Sequence, residues 1–327
     1  MKNKLKQKSV VDFNKFGLLI VLVVIYLLFG ILTPIFKPGS NFFQFSRILS
    51  ALNYAYFIGF LALGVTFVIS TGGIDFSIGP VMFASALIAG QCLVYYKLPL
   101  WLCLIIACVV GLLFGILNGY MVAYRFLPSF VTSMASMQIA KGLGSVFTRT
   151  QSVTWPPRGE PNSWFRNLIK FGSVPTGLIL LMVTALICGF FLFRTKPGRY
   201  ILCLGSNKEA VRLSGVSTKK WEMLAFVICG LLAGVASIFY VGAYATVQPG
   251  LGDAFNNEAI AACVMGGTSM AGGKASIFGT FIGALIIALL QEGILALGFS
   301  ISYQYVLTGL IVLIAVIIDS KKNIKSV

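Results

Sequence analysis

Long apolar runs, separated by short polar or glycine-rich breaks, occupy most of the chain. An α-helix needs about 20 mostly apolar residues to cross the hydrocarbon core of a bilayer. Runs at 17–36, 54–70, 80–95, 98–123, 129–147, 175–193, 221–244, 276–297 and 301–318 come near that length, and a shorter one lies at 258–266. Together they predict ten helical segments. An amphipathic stretch at 42–52 is expected at the membrane interface. A transmembrane β-barrel would instead show segments of about ten residues with alternating polarity, whereas these runs are continuous. The expected fold is all-α: a polytopic transmembrane helical protein of about ten spans, with a short interrupted segment. A single domain, 1–327, takes up the whole length and leaves no room for a second, soluble one.

Composition points to lipid as the solvent. Hydrophobic residues make up 58% of the 327 and charged residues 10%, against about a quarter charged in soluble domains. So few charges would not cover a soluble surface. The formal charge of +16 would suggest nucleic acid in a soluble protein. Here the basic residues cluster in the breaks, the pattern that orients membrane proteins, so membrane lipid is the expected partner and nucleic acid is not. With both termini in the cytoplasm, 17 of the 25 Lys and Arg fall on that side and seven on the other, with Lys141 inside a span. The bias predicts a cytoplasmic basic N-terminus at 1–16, a cytoplasmic loop at 194–220 and a cytoplasmic tail at 319–327. The first apolar run is too long for a signal peptide and has no small-residue cleavage site, so it reads as a retained helix. The chain has no histidine, the commonest metal ligand and general base. Its seven cysteines are scattered without metal-ligand spacing and read as small core residues. Neither a metal nor a bound cofactor is expected. Glycines four apart (Gly111, Gly115 and Gly119; Gly230 and Gly234; Gly279 and Gly283) have the spacing that lets helix backbones approach in lipid. Packing within the chain is the plain reading of that pattern.

Three breaks carry candidate chemistry. The first, S-T-G-G-I-D-F-S-I-G at 70–79, holds Gly72, Gly73, Asp75 and Ser77. Irregular backbone at membrane depth is tolerated only inside protein or beside an aqueous cavity, and an intramembrane carboxylate is costly enough to mark function by default. A plainer alternative is a tight cytoplasmic turn in which Asp75 caps the next helix. The two agree if the turn lies at a pore mouth. The second break follows the short segment that opens with Glu258 and ends in Gly266, Gly267, Thr268 and Ser269. Interrupted hydrophobic segments point to binding sites in several transporter folds, and the double glycine beside a hydroxyl echoes the first break. Residues 267–274 are near a phosphate-binding loop, but five residues rather than four separate Gly267 from the Gly-Lys pair, and Ala275 takes the hydroxyl position. Nucleotide binding is rejected on that spacing. The third stretch, 194–220, has seven basic residues and one acidic, Glu209. A solvated loop accounts for the charge. Asn207 as an N-cap adds a short helix over 208–213 ending at Gly215, a discrete knob suited to docking a soluble partner. Lys141 and Glu292 are lone charges within spans, able to pair, to snorkel or to line a path.

Taken together, the stretches TGGIDFSIG, GSNKEAVRLSGV and EAIAACVMGGTSMAGGKASIFGTFIGA resemble the permease subunits of bacterial sugar ABC importers, the ribose, xylose, arabinose and autoinducer group. The likeness runs in order from about Leu49 to Ile318. It implies a bacterial cytoplasmic (inner) membrane location and a dimer of permease chains, either two copies or one copy with a paralogue. It also implies an ATP-binding-cassette ATPase subunit on the cytoplasmic loop, which would hold the ATP and Mg, and an extracytoplasmic sugar-binding protein. The loop motif matches at Gly205, Asn207, Glu209, Ala210, Ser214 and Gly215, which the resemblance assigns to ATPase coupling. Val211 stands where the group often has alanine.

The implied activity is passage of a monosaccharide such as ribose, while related permeases carry branched-chain amino acids or nucleosides. A neutral polyol would meet hydroxyls, amides and backbone groups rather than paired charges. Candidate pathway residues are therefore Gly72, Gly73, Asp75, Ser77, Asn118, Glu258, Gly266, Gly267, Thr268 and Ser269. A proton-driven secondary transporter using Asp75, Glu258 or Glu292 is the main competing class. A membrane enzyme fares worse, for want of a recognisable nucleophile–base pair, and a passive channel for want of a filter-like repeat.

Overall fold

The computed structural model describes residues 2–172, 174–300 and 302–324. Residues 325–327 of the expected basic tail lie outside the described residues. Those described form α1 (Lys2–Phe36), α2 (Phe45–Ser70), α3 (Ile78–Val94), α4 (Leu100–Ala123), α5 (Ser129–Phe147), α6 (Thr176–Arg194), α7 (Lys196–Ser206), α8 (Lys208–Leu213), α9 (Thr218–Tyr244), α10 (Asp253–Met265), α11 (Ile277–Ala296) and α12 (Ser302–Ile324). Two short strands, β1 (Val153–Thr154) and β2 (Thr246–Val247), pair antiparallel between the loops that follow α5 and α9. Among the described residues, six helices are long and apolar enough to cross a membrane: Gly17–Phe36 within α1, then α2, α4, α6, α9 and α11. Helix α3 is apolar but shorter. The fold is that of a polytopic helical membrane protein.

Burial sorts these helices into a centre and a rim. Helix α2 is buried along almost its whole length, and α9 and α11 along most of theirs, whereas Gly17–Phe36 of α1, α4 and α6 are buried over only a third of their apolar stretch or less. The exposed side chains are apolar, such as Ile31, Leu113, Leu186 and Phe190, as a lipid-facing rim requires. Helix α9 runs antiparallel to α2, with the Phe57 ring against Tyr240 near one end and Gly64 against Cys229 further along. Small residues set the closest approach. A Cβ added at Gly111 would lie 2.3 Å from the Gly230 carbonyl, and one at Gly230 would lie 2.4 Å from the Gly111 carbonyl. Neither position admits a side chain. Gly279 and Gly283 pack against Gly266 and Ala262 in the same way, joining α10 to α11. The glycine spacing thus serves packing within the chain.

The structure corrects three sequence expectations. The 42–52 stretch is no separate interfacial piece: Phe45–Ser70 is one continuous helix, and Phe42, just before it, is buried against Phe29. The polar loop after α5 is anchored to the bundle. Trp155 is fully buried and donates its indole N–H to the Ala86 carbonyl (3.2 Å), while Arg166 donates to the Pro156 and Gly242 carbonyls. The 194–220 stretch is not simply a loop, because it contains α7 as well as the expected α8. The short segment begins at Asp253, so Glu258 lies inside α10 rather than opening it.

Candidate translocation and coupling sites

Asp75 sits in the first break, and its side chain is buried. Its Oδ1 accepts from the Ser77 backbone N–H (2.8 Å) and from the Ser77 hydroxyl (2.6 Å). This is a local Asx turn that shapes the chain as it enters α3. Asn118 of α4 donates to the Ser77 hydroxyl oxygen (2.9 Å) and to Asp75 Oδ2 (3.4 Å), and accepts from the Ser136 hydroxyl of α5. A relay of four polar side chains therefore ties the break to α4 and α5. Asp75, Ser77 and Asn118 line a crevice with Phe114, Gly115 and Gly230 that is too narrow to admit a water molecule. Ile74 N–H donates to Ser129 Oγ at the start of α5. The break is no tight turn. Ser70, at its start, accepts from Gly273 N–H beyond the end of α10, whereas Gly79, at its finish, donates to Asn256 Oδ1 in the first turn of α10 (2.7 Å). It thus extends along the length of α10, as irregular backbone enclosed by protein.

Glu258 lies two residues past Asn256, in the N-terminal half of α10. Its Oε2 accepts from the Tyr54 hydroxyl of α2 (2.5 Å), and its Oε1 accepts from the Gln304 amide of α12 (3.0 Å). All three residues are buried. An aromatic cluster of Phe57, Phe83, Tyr240 and Phe255 packs beside Tyr54. The lone charges of the spans are paired: Glu292 with Arg47 at 2.8 Å, and Lys141 with Asp253 at 2.5 Å. The second pair lies on the open side of the bundle, its side chains 20% and 55% exposed, although Lys141 is inside α5.

Thr268 and Ser269 are buried at the second break. Thr268 Oγ1 accepts from Ser276 N–H at the start of α11. Gly266 packs against Gly279, while Gly72 and Gly267 are exposed and Gly73 is half-buried beside Ser129. Helix α8 forms over Lys208–Leu213, with the Asn207 side chain accepting from Ala210 N–H (2.9 Å). Asn207, Glu209, Ala210, Ser214 and Gly215 are all exposed. The exposed Glu209 carboxylate accepts from Arg212 and is held below the usual carboxylate range by those hydrogen bonds. Lys208 pairs with Glu222 of α9 at 2.7 Å.

A family profile described as the permease component of a branched-chain amino acid transport system matches residues 47–316. The chain belongs to this permease family. The permease is 33% identical over 307 residues to the ribose import permease protein of Escherichia coli (strain K12), with 93% of each chain covered. It is also 33% identical over 311 residues to the ribose import permease protein of Bacillus subtilis (strain 168), covering 95% of this chain and 94% of that one. Identity to the xylose transport system permease protein of E. coli (strain K12) is 32%, covering 82% and 83%. Among solved structures, an ABC transporter described as metal-chelate type, in an inward-facing conformation, superposes with a TM-score of 0.51 at 16% identity, covering 91% of this chain and 96% of that one. The permease shares its fold. It is a multi-pass inner-membrane transport component rather than a catalyst.

The expected pathway residues of the permease fall in three places: Gly72, Gly73, Asp75 and Ser77 in the first break with Asn118 beside them, Glu258 within α10, and Gly266, Gly267, Thr268 and Ser269 at the second break. Four partners escaped the sequence reading: Tyr54, Ser136, Asn256 and Gln304. Each is a hydrogen-bonding side chain in a helix, and that polarity within an otherwise apolar run was the available signal.

Proposed function

We propose that this permease carries a monosaccharide, ribose or a close relative, across the cytoplasmic membrane as one half of a permease pair. The observation that carries this reading is end-to-end similarity to ribose import permeases, 93% of each chain. In this reading the energy comes from a separate ATP-binding-cassette subunit, which holds ATP and Mg and docks on α8, and a sugar-binding protein delivers substrate from outside. Both termini and α8 lie in the cytoplasm, in keeping with the clustering of basic residues.

The passage runs between two permease chains. Asp75, Asn118 and Glu258 are sealed inside one chain, so they shape the walls rather than line an open route. The Lys141–Asp253 pair is exposed beside apolar helices, and a charge pair inside a membrane needs a water-filled cavity or a protein neighbour. A face against a second chain supplies both. Lys141→Leu is expected to lower uptake roughly tenfold, at the upper end of what a single contact changes, with ATPase association unchanged.

The deciding experiment is uptake into liposomes containing permease, ATPase and loaded binding protein, with ribose, xylose, fructose and leucine compared. ATP-dependent uptake of one sugar, lost when the ATPase is omitted, is the expected result. Leucine uptake would favour the second reading, an amino-acid permease, which the family's description supports. Uptake by the permease alone on a proton gradient would sink both. Glu209→Lys is expected to abolish co-purification of the ATPase.

A further inference from the structure

Gly205 belongs to the loop motif, yet it does not face outward with the rest of it. It lies in the last turn of α7 with its backbone pressed against the end of α2 and the second break. A Cβ added there would lie 2.0 Å from the Ser70 carbonyl oxygen, 2.3 Å from Gly273 N and 2.9 Å from Gly272 Cα. Gly272, with φ +84°, closes the contact from the other side: its added Cβ would lie 2.8 Å from both Gly72 N and Gly205 Cα. Gly273 N–H donates to the Ser70 carbonyl at 3.0 Å. One node of bare backbone thus joins α7 to both glycine-rich breaks.

We propose that this node is the joint through which movement of α7 and α8 reaches the two breaks, and that Gly205 is a positioning residue rather than an ATPase contact. The inference rests on the reading that an ATPase docks on α8. Backbones in van der Waals contact do not compress, so a displacement of α7 is passed on rather than absorbed. Asn207 caps α8 directly onto the end of α7, and Lys208 ties it to α9, so the knob moves with its base. On one side of the node the first break leads to Asp75 and, through Asn118 and Ser136, to α4 and α5. On the other side, the Thr268–Ser276 bond leads to α11. A single push therefore shifts two helix groups together, the discrete repacking that coupling between distant sites requires.

The test is a disulfide across the joint. A Cβ at Gly273 would lie 2.3 Å from Ser206 Oγ, so Ser206→Cys with Gly273→Cys, in a Cys203→Ser background that removes the exposed native thiol, places two sulfurs within bonding reach. The variant is assembled with ATPase and binding protein in liposomes. A contact that already passes displacement on loses nothing by being made covalent, so oxidation is expected to leave both uptake and ATPase association intact, as in each single cysteine variant. Uptake that stops on oxidation and returns with reductant would mean that α7 must slide against the break, and overturns the joint, as does failure of the pair to crosslink. Gly205→Ala gives a second reading: ATPase association is retained, while substrate moved per ATP hydrolysed falls about tenfold, within the range that changes along a coupling network produce. Loss of association in Gly205→Ala, alike with Glu209→Lys, makes Gly205 a docking residue and overturns the proposal. A wild-type permease that recruits no ATPase overturns both this proposal and the reading beneath it.

Discussion

Asp75 and Glu258 are both buried acids in an apolar bundle, and they are secured in opposite ways. Asp75 takes its two shortest bonds from Ser77, two residues along the same break. Glu258 takes both of its bonds from distant helices, through Tyr54 and Gln304. If the first break shifts, the donors of Asp75 travel with it. If α10 shifts against α2 or α12, Glu258 loses its donors, and a buried polar group without a partner is costly. One acid rides with its segment and the other pins three helices. The pin lies in the N-terminal half of α10, whereas the backbone node of Ser70, Gly205 and Gly273 lies beyond its C-terminus. In the proposed coupling, movement entering at the node therefore works against a helix held part-way along its length.

The largest expected effect tests the pin. Tyr54→Phe with Gln304→Leu strips Glu258 of both donors and should cost about 3 kcal/mol, taking roughly 1.5–3 kcal/mol for each hydrogen bond to a charged group and allowing for partial relaxation. Thermal unfolding in detergent reads it as a marked fall in melting temperature. Adding Glu258→Leu to that pair should restore part of the stability, because the orphaned carboxyl is then gone. No recovery in the triple variant would mean that the pin is not electrostatic.

Much of the fold was legible in the sequence, because its signals were local. The limits of α5 matched at 129–147, and α8 matched at 208–213, where an Asn cap and a following glycine mark both ends within eight residues. Helix α7 was missed because K-P-G-R reads as a turn. Proline is compatible with a first helical turn, however, and Thr195 caps the helix by accepting from Gly198 N–H. Helix α10 starts earlier than expected because D-A-F-N-N is polar, yet Asn256 within it is buried and holds the start of α3. The partners of the lone charges were out of reach for a different reason. Arg47 and Glu292 are 245 positions apart, and Lys141 and Asp253 are 112 apart. Only packing brings such residues together, and no local pattern encodes it. The Asp75 turn sat between these extremes: its bond to Ser77 follows from the sequence, whereas Asn118 and Ser136 entered through the fold.

A smaller effect tests the riding acid. Asn118→Leu removes the relay from the break to α4 and to Ser136 of α5, but leaves both Ser77 bonds on Asp75 and the Ile74–Ser129 bond to the start of α5. Stability should fall by only about 1 kcal/mol, the scale of single interhelical hydrogen bonds in membranes. Uptake should fall more than that figure suggests, by roughly threefold to tenfold, because the break is then tied to α5 only at its first residue, Ser129. Combined with Tyr54→Phe, the stability losses should add to within about 0.5 kcal/mol, as expected for separated sites. Strong non-additivity would join the two acids into one network and break the comparison.

The smallest effect concerns a third carboxylate, Glu209, which shares neither arrangement because it is fully in solvent. Arg212, one turn along α8, donates to it and holds it below the ordinary carboxylate range. A group with a lowered folded-state value contributes above its ordinary value, near 4.3, and loses that contribution as pH falls through the lowered one. ATPase association should therefore be flat from about pH 8 to about pH 5 and weaken only below that. Added salt should weaken it at every pH in this window, since exposed charges are screened. A decline already present near pH 6 would mean that another group governs docking. The surface pair would then be only a local brace of α8, and the outward face of the knob would have to be sought in its apolar member, the exposed Leu213.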